Sequence, residues 1–134
     1  GVGCVGAADG MLELTVDYVT ERQAFGQAVG KFQNTRYKLA DIKTEIELNR
    51  AMAEKYVQRY IAGELTTEEA SMCKLAASEM QGRVADECVQ LFGGYGYMSE
   101  YRISRMYLDS RVQRIYGGTS EIMKELISRS LVGR

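Results

Sequence analysis

Histidine and proline are both missing from this sequence of 134 residues, and cysteine occurs only three times. Without histidine the chain cannot form a Ser-His-Asp or Cys-His catalytic set, and most zinc sites are excluded as well. The absence of proline, and of any strong alternation of apolar and polar residues, favours an all-helical domain. Cys4, Cys73 and Cys88 lack C-x-x-C spacing, so we interpret them as reduced and mostly buried thiols in a cytosol-like compartment.

An excess of either charge is also missing. The chain has 17 basic and 18 acidic residues, a net charge of −1, which gives no support to nucleic-acid binding. No apolar run approaches the roughly 20 residues that cross a bilayer, and Gly1–Ala8 has no basic region of a signal peptide before it. With 46% hydrophobic residues and the length of one domain, the chain can bury a real core.

Apolar residues recur at helical spacing through most of the chain and predict five helices. We expect them over Val2–Glu21, Gln33–Ala62, Thr66–Leu91, Glu100–Arg111 and Ser120–Leu131. The third begins with the capping-box pattern T-T-E-E, in which the first threonine is the N-cap. Long antiparallel helices joined by short turns predict an up-down four-helix bundle with an additional C-terminal helix.

One face of each of the first three helices is expected to be buried. The apolar residues at spacings of three, four and seven define these faces. They are Val5, Leu12, Val16 and Val19 on the first helix, Leu39, Ile42, Ile46, Ala53, Val57 and Tyr60 on the second, and Ala70, Cys73, Ala77, Met80, Val84 and Cys88 on the third.

Three segments rich in glycine interrupt the helices and could bind a ligand. In the first, Arg22–Gln27 reads RQAFGQ, which offers a guanidinium for phosphate or carboxylate and a flat apolar ring. In the second, Gln90–Tyr97 reads QLFGGYGY, whose glycines allow close approach to the backbone. In the third, Tyr116–Glu121 reads YGGTSE and places two glycines directly before a helix cap. Each alone is also compatible with a purely structural helix end, turn or cap.

Taken in order, R-x-A-F-G-Q, F-Q, Q-x-F-G-G-x-G-Y and I-Y-G-G-T-S-E-I closely resemble the C-terminal helical domain of acyl-CoA dehydrogenases. The resemblance covers essentially the whole chain. It implies that residues 1–134 are that domain of a longer flavoenzyme, without its N-terminal helical domain and its middle β-barrel. It also implies that FAD lies between the barrel and the bundle, and that a neighbouring subunit completes the site.

The resemblance assigns roles to residues of all three segments. The arginine would contact the FAD pyrophosphate, and the Q-x-x-G-G segment its adenosine side. The residues implied to bind FAD are Arg22, Phe25, Gln33, Gln90, Gly93, Gly94, Thr119, Ser120 and Glu121. Those implied to line the acyl-CoA thioester pocket are Tyr116, Gly117 and Gly118. No metal site is expected.

The implied reaction is α,β-dehydrogenation of an acyl-CoA thioester, in which a carboxylate removes the α proton and a hydride passes from the β carbon to the flavin. Many family members carry the catalytic glutamate where this chain has Gly117. The chain is therefore similar to the long-chain and isovaleryl-CoA subgroup, whose glutamate would fall just upstream of Gly1. Glu13 and Glu21 lie too close to Arg22 to match it.

The resemblance further implies acyl-CoA as substrate, an electron-transferring flavoprotein as electron acceptor, and a homodimer or homotetramer. It implies a bacterial cytoplasmic or mitochondrial matrix location, and a role in fatty acid β-oxidation. The chain by itself is expected to be inactive and not to retain FAD. Two alternatives stay open: a stand-alone helical interaction module, and part of an acyl-CoA oxidase-like flavoenzyme.

Overall fold

A computed structural model describes residues 1–133 of the chain. Over these residues it contains six helices and one minimal hairpin. The helices are α1 (Val2–Glu21), α2 (Gln33–Ile61), α3 (Thr67–Phe92), α4 (Gly94–Tyr97), α5 (Arg102–Val112) and α6 (Ser120–Val132), and the two-residue strands are β1 (Gln23–Ala24) and β2 (Gln27–Ala28). The strands pair antiparallel, and a single 3-10 turn over Val29–Lys31 leads into α2.

Helix α3 lies at the centre of the structure. It packs against α1, α2, α5 and α6, while α1 also contacts α2 and α5. Fully buried side chains from several helices meet in this core, among them Met11, Ile46, Met80, Val84 and Ile103. The predicted all-helical bundle with an additional C-terminal helix is confirmed, and α6 is the added helix, lying against α3.

The predicted helix boundaries differ from the observed ones chiefly around residues 94–101. The bounds predicted for α1 are confirmed, and the ends of α2, α3 and α6 each differ by one residue. Helix α4 was not predicted, and α5 begins at Arg102 rather than at Glu100. Helix α5 starts late because Tyr101 has an extended backbone and is its N-cap. The Tyr101 backbone N–H donates to the Met98 carbonyl, which forms a turn between α4 and α5.

Several residues expected on the buried faces are exposed instead. On α1, Val16 is 40% exposed, because the buried position beside it belongs to Thr15, whose hydroxyl donates to the Met11 carbonyl at 2.7 Å. On α2, Val57 and Tyr60 are exposed. Val57 lines an open groove with Val2 of α1, and Tyr60 is in the last turn of α2. In addition, Ala70 in the first turn of α3 is exposed.

The other residues of the predicted faces are buried or partly buried. Those partly buried are Leu12, Leu39 and Cys73, and those buried are Val5, Val19, Ile42, Ile46, Ala53, Ala77, Met80, Val84 and Cys88. Among residues 1–133, no helix combines the length and the apolar character that crossing a membrane requires.

The start of α3 is fixed by the capping box that the sequence predicts. The Thr66 hydroxyl accepts from the Glu69 backbone N–H at 3.2 Å, and the Glu69 carboxylate accepts from the Thr66 backbone N–H at 3.0 Å. The hydrogen bond from the Thr66 N–H lowers the pKa of the Glu69 carboxyl most strongly, and the Arg59 guanidinium lowers it further. The reciprocal pair therefore stabilises the helix at pH values above the ordinary carboxyl pKa, and this contribution is lost as pH falls through the lower folded value.

The substitution Thr66→Ala should lower the free energy of unfolding by about 1 kcal/mol, because the first turn of α3 loses its cap. Thr67→Ala, one residue later, is the control and should have a smaller effect. Urea unfolding followed by circular dichroism measures both. The difference should shrink as the pH falls below the ordinary carboxyl pKa and through the lowered pKa of Glu69. Equal losses for the two variants would contradict the capping role.

All three cysteines are free thiols, as predicted. Cys4 and Cys88 are buried, and burial raises the pKa of both, that of Cys88 to about 11. At pH 8 a thiol-disulfide reagent should modify at most the half-buried Cys73 rapidly in the folded chain, and all three thiols after unfolding in urea. Rapid modification of Cys88 in the folded chain would show that α3 is not packed as described.

Candidate functional site

The segment after α1 forms a tight hairpin that leaves Arg22 at the end of the helix. Arg22 is the C-cap residue with extended backbone, and its N–H donates to the Tyr18 carbonyl at 2.8 Å. The hairpin turns at Phe25 and Gly26, which have φ values of +52° and +79°. Its return strand is tied back to the helix end, because the Val29 N–H donates to the Arg22 carbonyl at 2.8 Å.

Arg22 lies beside the C-terminal end of α3, where the two chain segments enclose an open cleft of about 550 Å³. The sequence-predicted residues Arg22, Gln90, Gly93 and Gly94 all line it. The Arg22 guanidinium carbon lies 5.4 Å from the centre of the Tyr95 ring, within cation–π range. The structure thus brings together residues that are about 70 positions apart in the sequence.

Backbone geometry exposes the glycines of this cleft to a ligand. Gly93 ends α3 with φ of +62° and ψ of −141°, a conformation that residues with a side chain rarely adopt. A Cβ atom at Gly93 or Gly94 would meet nothing within 4 Å, so their backbone faces open space. Gly96 differs, since a Cβ there would collide with the Val89 carbonyl, and this close contact folds α4 back onto α3.

Aromatic stacking fixes the walls of the cleft. The Tyr18 and Phe92 rings stack at 4.1 Å between centroids, and the Tyr18 hydroxyl donates to the Phe92 carbonyl at 3.2 Å. Tyr95 stacks on Tyr101 at 5.0 Å. Burial raises the pKa of Tyr18, although the nearby Arg22 charge opposes this shift. The phenol therefore stays protonated and can donate its hydrogen bond.

Arg22 forms none of the ion pairs found among residues 1–133.

Two other sequence-predicted residues do not line this cleft. Phe25 is at the tip of the hairpin, where 97% of its surface is exposed and its ring lies edge-to-face with Phe32 at 6.3 Å between centroids. Gln33 is the first residue of α2, and its side-chain amide donates to the hydroxyl of Tyr37. Both project from the α1–α2 connection, on the solvent side of the chain.

The remaining sequence-predicted residues form a second cluster, at the turn between α5 and α6. Gly117 and Gly118 have φ values of +63° and +102°, and Tyr116 is exposed. Thr119 is the N-cap of α6, as expected, and its hydroxyl accepts from the Ile122 N–H at 3.4 Å.

Glu121 is exposed in the first turn of α6 and takes part in the same cap. Hydrogen bonds from its own backbone N–H and from the Thr119 hydroxyl lower the pKa of its carboxyl, and the backbone N–H has the larger effect. Ser120 is buried, and its hydroxyl donates to Glu79 of α3 at 2.7 Å. The exposed part of the segment therefore consists of residues 115–117 and Glu121, while Gly118 and Thr119 are partly buried.

The two clusters lie at different positions along α3. The cleft uses Gln90 at the C-terminal end, and the α5–α6 turn is fastened to Lys74 and Glu79 in the first half. Eleven residues separate Glu79 from Gln90, which corresponds to about 16 Å of helix at 1.5 Å per residue. The sequence-predicted residues therefore form two sites, which we call the Arg22 cleft and the α5–α6 turn.

Sequence reasoning missed the residues that support these sites. Tyr95 is inside a motif that was recognised for its glycines, but its contact with Arg22 depends on the tertiary fold. Lys74 donates to the Gly118 carbonyl at 2.5 Å, and Glu79 accepts from Ser120. Lys74 follows Cys73 on the predicted apolar face of α3, and a charged residue beside that face is the one signal that could have pointed to it.

Comparison with known proteins gives matches over nearly the whole chain. The sequence profile of the acyl-CoA dehydrogenase C-terminal domain matches residues 1–132. The mitochondrial long-chain specific acyl-CoA dehydrogenase of Sus scrofa is 51% identical over 128 residues, 96% of this chain and 30% of that protein. Acryloyl-CoA reductase (NADH) of Anaerotignum propionicum is 40% identical over 134 residues, 100% of this chain and 34% of that protein.

A solved structure gives the same result. The acyl-CoA dehydrogenase from Geobacillus kaustophilus matches with a TM-score of 0.94 and 45% sequence identity, covering 96% of this chain and 34% of that one. The chain thus spans about a third of the length of the relatives it matches.

The strained backbone of the α5–α6 turn is open to a direct test. Gly118→Ala should lower the free energy of unfolding by about 1–3 kcal/mol, because alanine disfavours its φ and the new methyl group would collide with Met123. Gly3→Ala is the matched control: Gly3 is in helix α1 with open space around it, and alanine there should stabilise by about 0.5–1 kcal/mol. Urea unfolding of the two variants should give opposite signs, and two stabilised variants would contradict the described turn.

Proposed function

The chain belongs to the acyl-CoA dehydrogenase family, and we propose that it works as the C-terminal helical domain of an FAD-dependent enzyme that introduces an α,β double bond into acyl-CoA thioesters. The observation that carries this proposal is the Arg22 cleft, where two accessible glycines share one opening with a cation that has no ion-pair partner among residues 1–133. That donor set suits a pyrophosphate group: the guanidinium can bind two oxygens at once, and bare backbone allows close approach.

In this proposal Arg22 holds the FAD pyrophosphate, while Gln90, Gly93 and Gly94 border its adenosine side. Tyr95 keeps the guanidinium at the mouth of the cleft through its cation–π contact. Phe25 and Gln33 project from the hairpin and the start of α2, where they could reach a cofactor held partly by another domain or subunit. Bound FAD would supply the acceptor for the hydride that leaves the β carbon.

The α5–α6 turn would border a different part of the site. We assign the flavin edge to Thr119, Ser120 and Glu121, and the thioester to Tyr116, Gly117 and Gly118. We propose that the flavin site is shared between subunits, so that one chain gives its turn to one FAD and its cleft to the next. This proposal implies a homodimer or a homotetramer.

The catalytic base is proposed to come from a glutamate outside the chain, upstream of Gly1. Gly117 occupies the place where many relatives carry it, and the carboxylates near the turn are unsuited to the task. A base that works near neutral pH needs a raised pKa, whereas the cap lowers the pKa of Glu121. Glu79 already accepts from Ser120 and pairs with Arg114.

The partners and location of the complete enzyme are proposals as well. We propose that its electrons leave through an electron-transferring flavoprotein, in a mitochondrial matrix or a bacterial cytoplasm. The mitochondrial long-chain relative supports the first of these two locations. The chain alone would contain only part of each flavin site, so we expect it neither to retain FAD nor to oxidise acyl-CoA.

The experiment is an FAD titration of the complete protein that contains this chain, after removal of its flavin. Arg22→Met should weaken FAD binding at least about tenfold, since a charged hydrogen-bonding partner of the pyrophosphate is lost. Arg83→Met is the control, because that arginine pairs with Glu45 on an exposed surface away from the cleft. Flavin absorbance and acyl-CoA-dependent bleaching are the readouts. A complete protein that binds no flavin, or an unchanged affinity for Arg22→Met, would contradict the proposal.

A further inference from the structure

The α5–α6 turn is held on one side by three polar residues that no sequence motif identified. The Lys74 ammonium of α3 donates to the Gly118 carbonyl at 2.5 Å. One turn and a half further along the same helix, Glu79 accepts from the Ser120 hydroxyl at 2.7 Å. The third is Arg114, which precedes the turn and lies 3.4 Å from the other oxygen of the Glu79 carboxylate. We call Lys74, Glu79 and Arg114 the polar clamp.

The clamp connects both ends of the turn to one carboxylate. Glu79 binds Arg114 before the turn and Ser120 after it, each through a different oxygen. The Ser120 backbone N–H also donates to the Arg114 carbonyl at 3.1 Å. Residues 114–120 thus form a closed loop whose two ends meet on α3.

The Arg114 side chain fits against α3 because residue 82 of that helix is a glycine. A Cβ atom built on Gly82 would collide with the Arg114 guanidinium, so the side chain lies directly over the bare backbone of α3. Arg114 and Glu79 are each only about one third exposed, at 32% and 30% of their side chains. Their contact is therefore better shielded from water than an ordinary surface ion pair, which contributes little.

On the opposite side of the turn, the Tyr116 hydroxyl donates to the Gln113 side-chain oxygen at 2.7 Å, a contact within the segment that does not tie it to α3. Ile115, Tyr116 and Gly117 are exposed, and a Cβ atom at Gly117 would meet nothing within 4 Å. Two consecutive glycines at positive φ are intrinsically free to adopt many backbone conformations. The clamp restricts this freedom from the α3 side and leaves the outer side of residues 115–117 open to a ligand.

We propose that Lys74 and Glu79 are positioning residues, which hold the backbone of residues 116–118 where it can border the flavin edge and the acyl-CoA thioester. This inference rests on the proposed function, because it assumes that these ligands bind at the turn. Neither residue contacts the ligand in this scheme. They act through Gly118 and Ser120, and reaction geometry is sensitive to displacements of about 1 Å, which can reduce rate about a hundredfold.

The test uses the complete protein that contains this chain, with Lys74→Met, Glu79→Leu and Glu79→Gln. Methionine keeps the length of lysine but cannot donate to Gly118. Glutamine keeps an acceptor for Ser120 and loses only the charge that faces Arg114, so it should be milder than leucine. Lys124→Met and Glu125→Gln are the matched controls on α6, where both side chains are exposed.

Two measurements separate positioning from general stability. In flavin-free protein, hydrogen exchange of the Tyr116 and Ser120 amides, which donate to the Val112 and Arg114 carbonyls, should speed up about tenfold for Lys74→Met and Glu79→Leu, as expected for the loss of a charged hydrogen bond. In the flavin-loaded protein, kcat per bound flavin should fall at least about tenfold while KM changes much less. The control variants should leave both quantities as in the parent protein.

The outcomes distinguish the two proposals. If the parent protein binds FAD and oxidises acyl-CoA but the clamp variants keep its exchange rates and its kcat per flavin, the positioning role is wrong and the proposed function stands. A lowered melting temperature with unchanged kcat per flavin also overturns the positioning role. If the parent protein neither binds FAD nor acts on acyl-CoA, the proposed function fails, and the positioning role fails with it, whatever the exchange data show.

Discussion

The close packing of α3 is the constraint on which both candidate sites depend. This helix contacts α1, α2, α5 and α6, and residues such as Met80 and Val84 are almost fully buried between them. Side chains in so dense a core cannot shift without losing contacts on every side. The helix therefore works as a rigid spacer, and it fixes the separation between Glu79, which holds the α5–α6 turn, and Gln90, which lines the Arg22 cleft.

Much of this fold can be predicted from the sequence, because its determinants are local. The apolar period predicts the long helices, and the T-T-E-E pattern locates the start of α3. The errors are tertiary in origin. Val57 and Tyr60 continue the apolar period of α2, but they are 40% and 73% exposed at the C-terminal end of that helix. Thr15 is buried although it is polar, because its own helix satisfies its hydroxyl, and no pattern of apolar residues can reveal that.

The candidate sites are predictable to a smaller extent. Glycine pairs mark where the backbone is accessible, so the sequence locates Gly93–Gly94 and Gly117–Gly118. It cannot show that Arg22 reaches Tyr95, since that contact requires α1 and α3 to end on the same side of the bundle. It also cannot show that the sequence-predicted residues divide into two groups. Their division follows from which part of α3 each group contacts, a property of the fold and not of any motif.

Both sites need a glycine-rich backbone that is accessible to a ligand and yet ordered before the ligand binds, and different contacts supply that order at each site. Glycines make a backbone accessible, but ordering flexible residues costs roughly 1–2 kcal/mol each, and an unanchored loop would subtract that cost from ligand binding. At the Arg22 cleft, the order comes mainly from close packing and aromatic stacking: Gly96 lies against the Val89 carbonyl, and Tyr95 stacks on Tyr101. At the α5–α6 turn, the hydrogen bonds and the ion pair of the polar clamp order the backbone.

The difference between these supports fits the two proposed roles. A turn beside a reacting thioester must keep its backbone oxygens and N–H groups aimed in fixed directions, and hydrogen bonds are directional where apolar packing is not. Lys74 fixes the Gly118 carbonyl, and Glu79 fixes the first residue of α6. A cleft for a pyrophosphate needs a cation held at its mouth but able to adjust, and a cation–π contact at 5.4 Å permits that adjustment. The turn, where chemistry is proposed, is thus anchored by directional hydrogen bonds, and the cleft, where only binding is proposed, is anchored by a contact that can adjust.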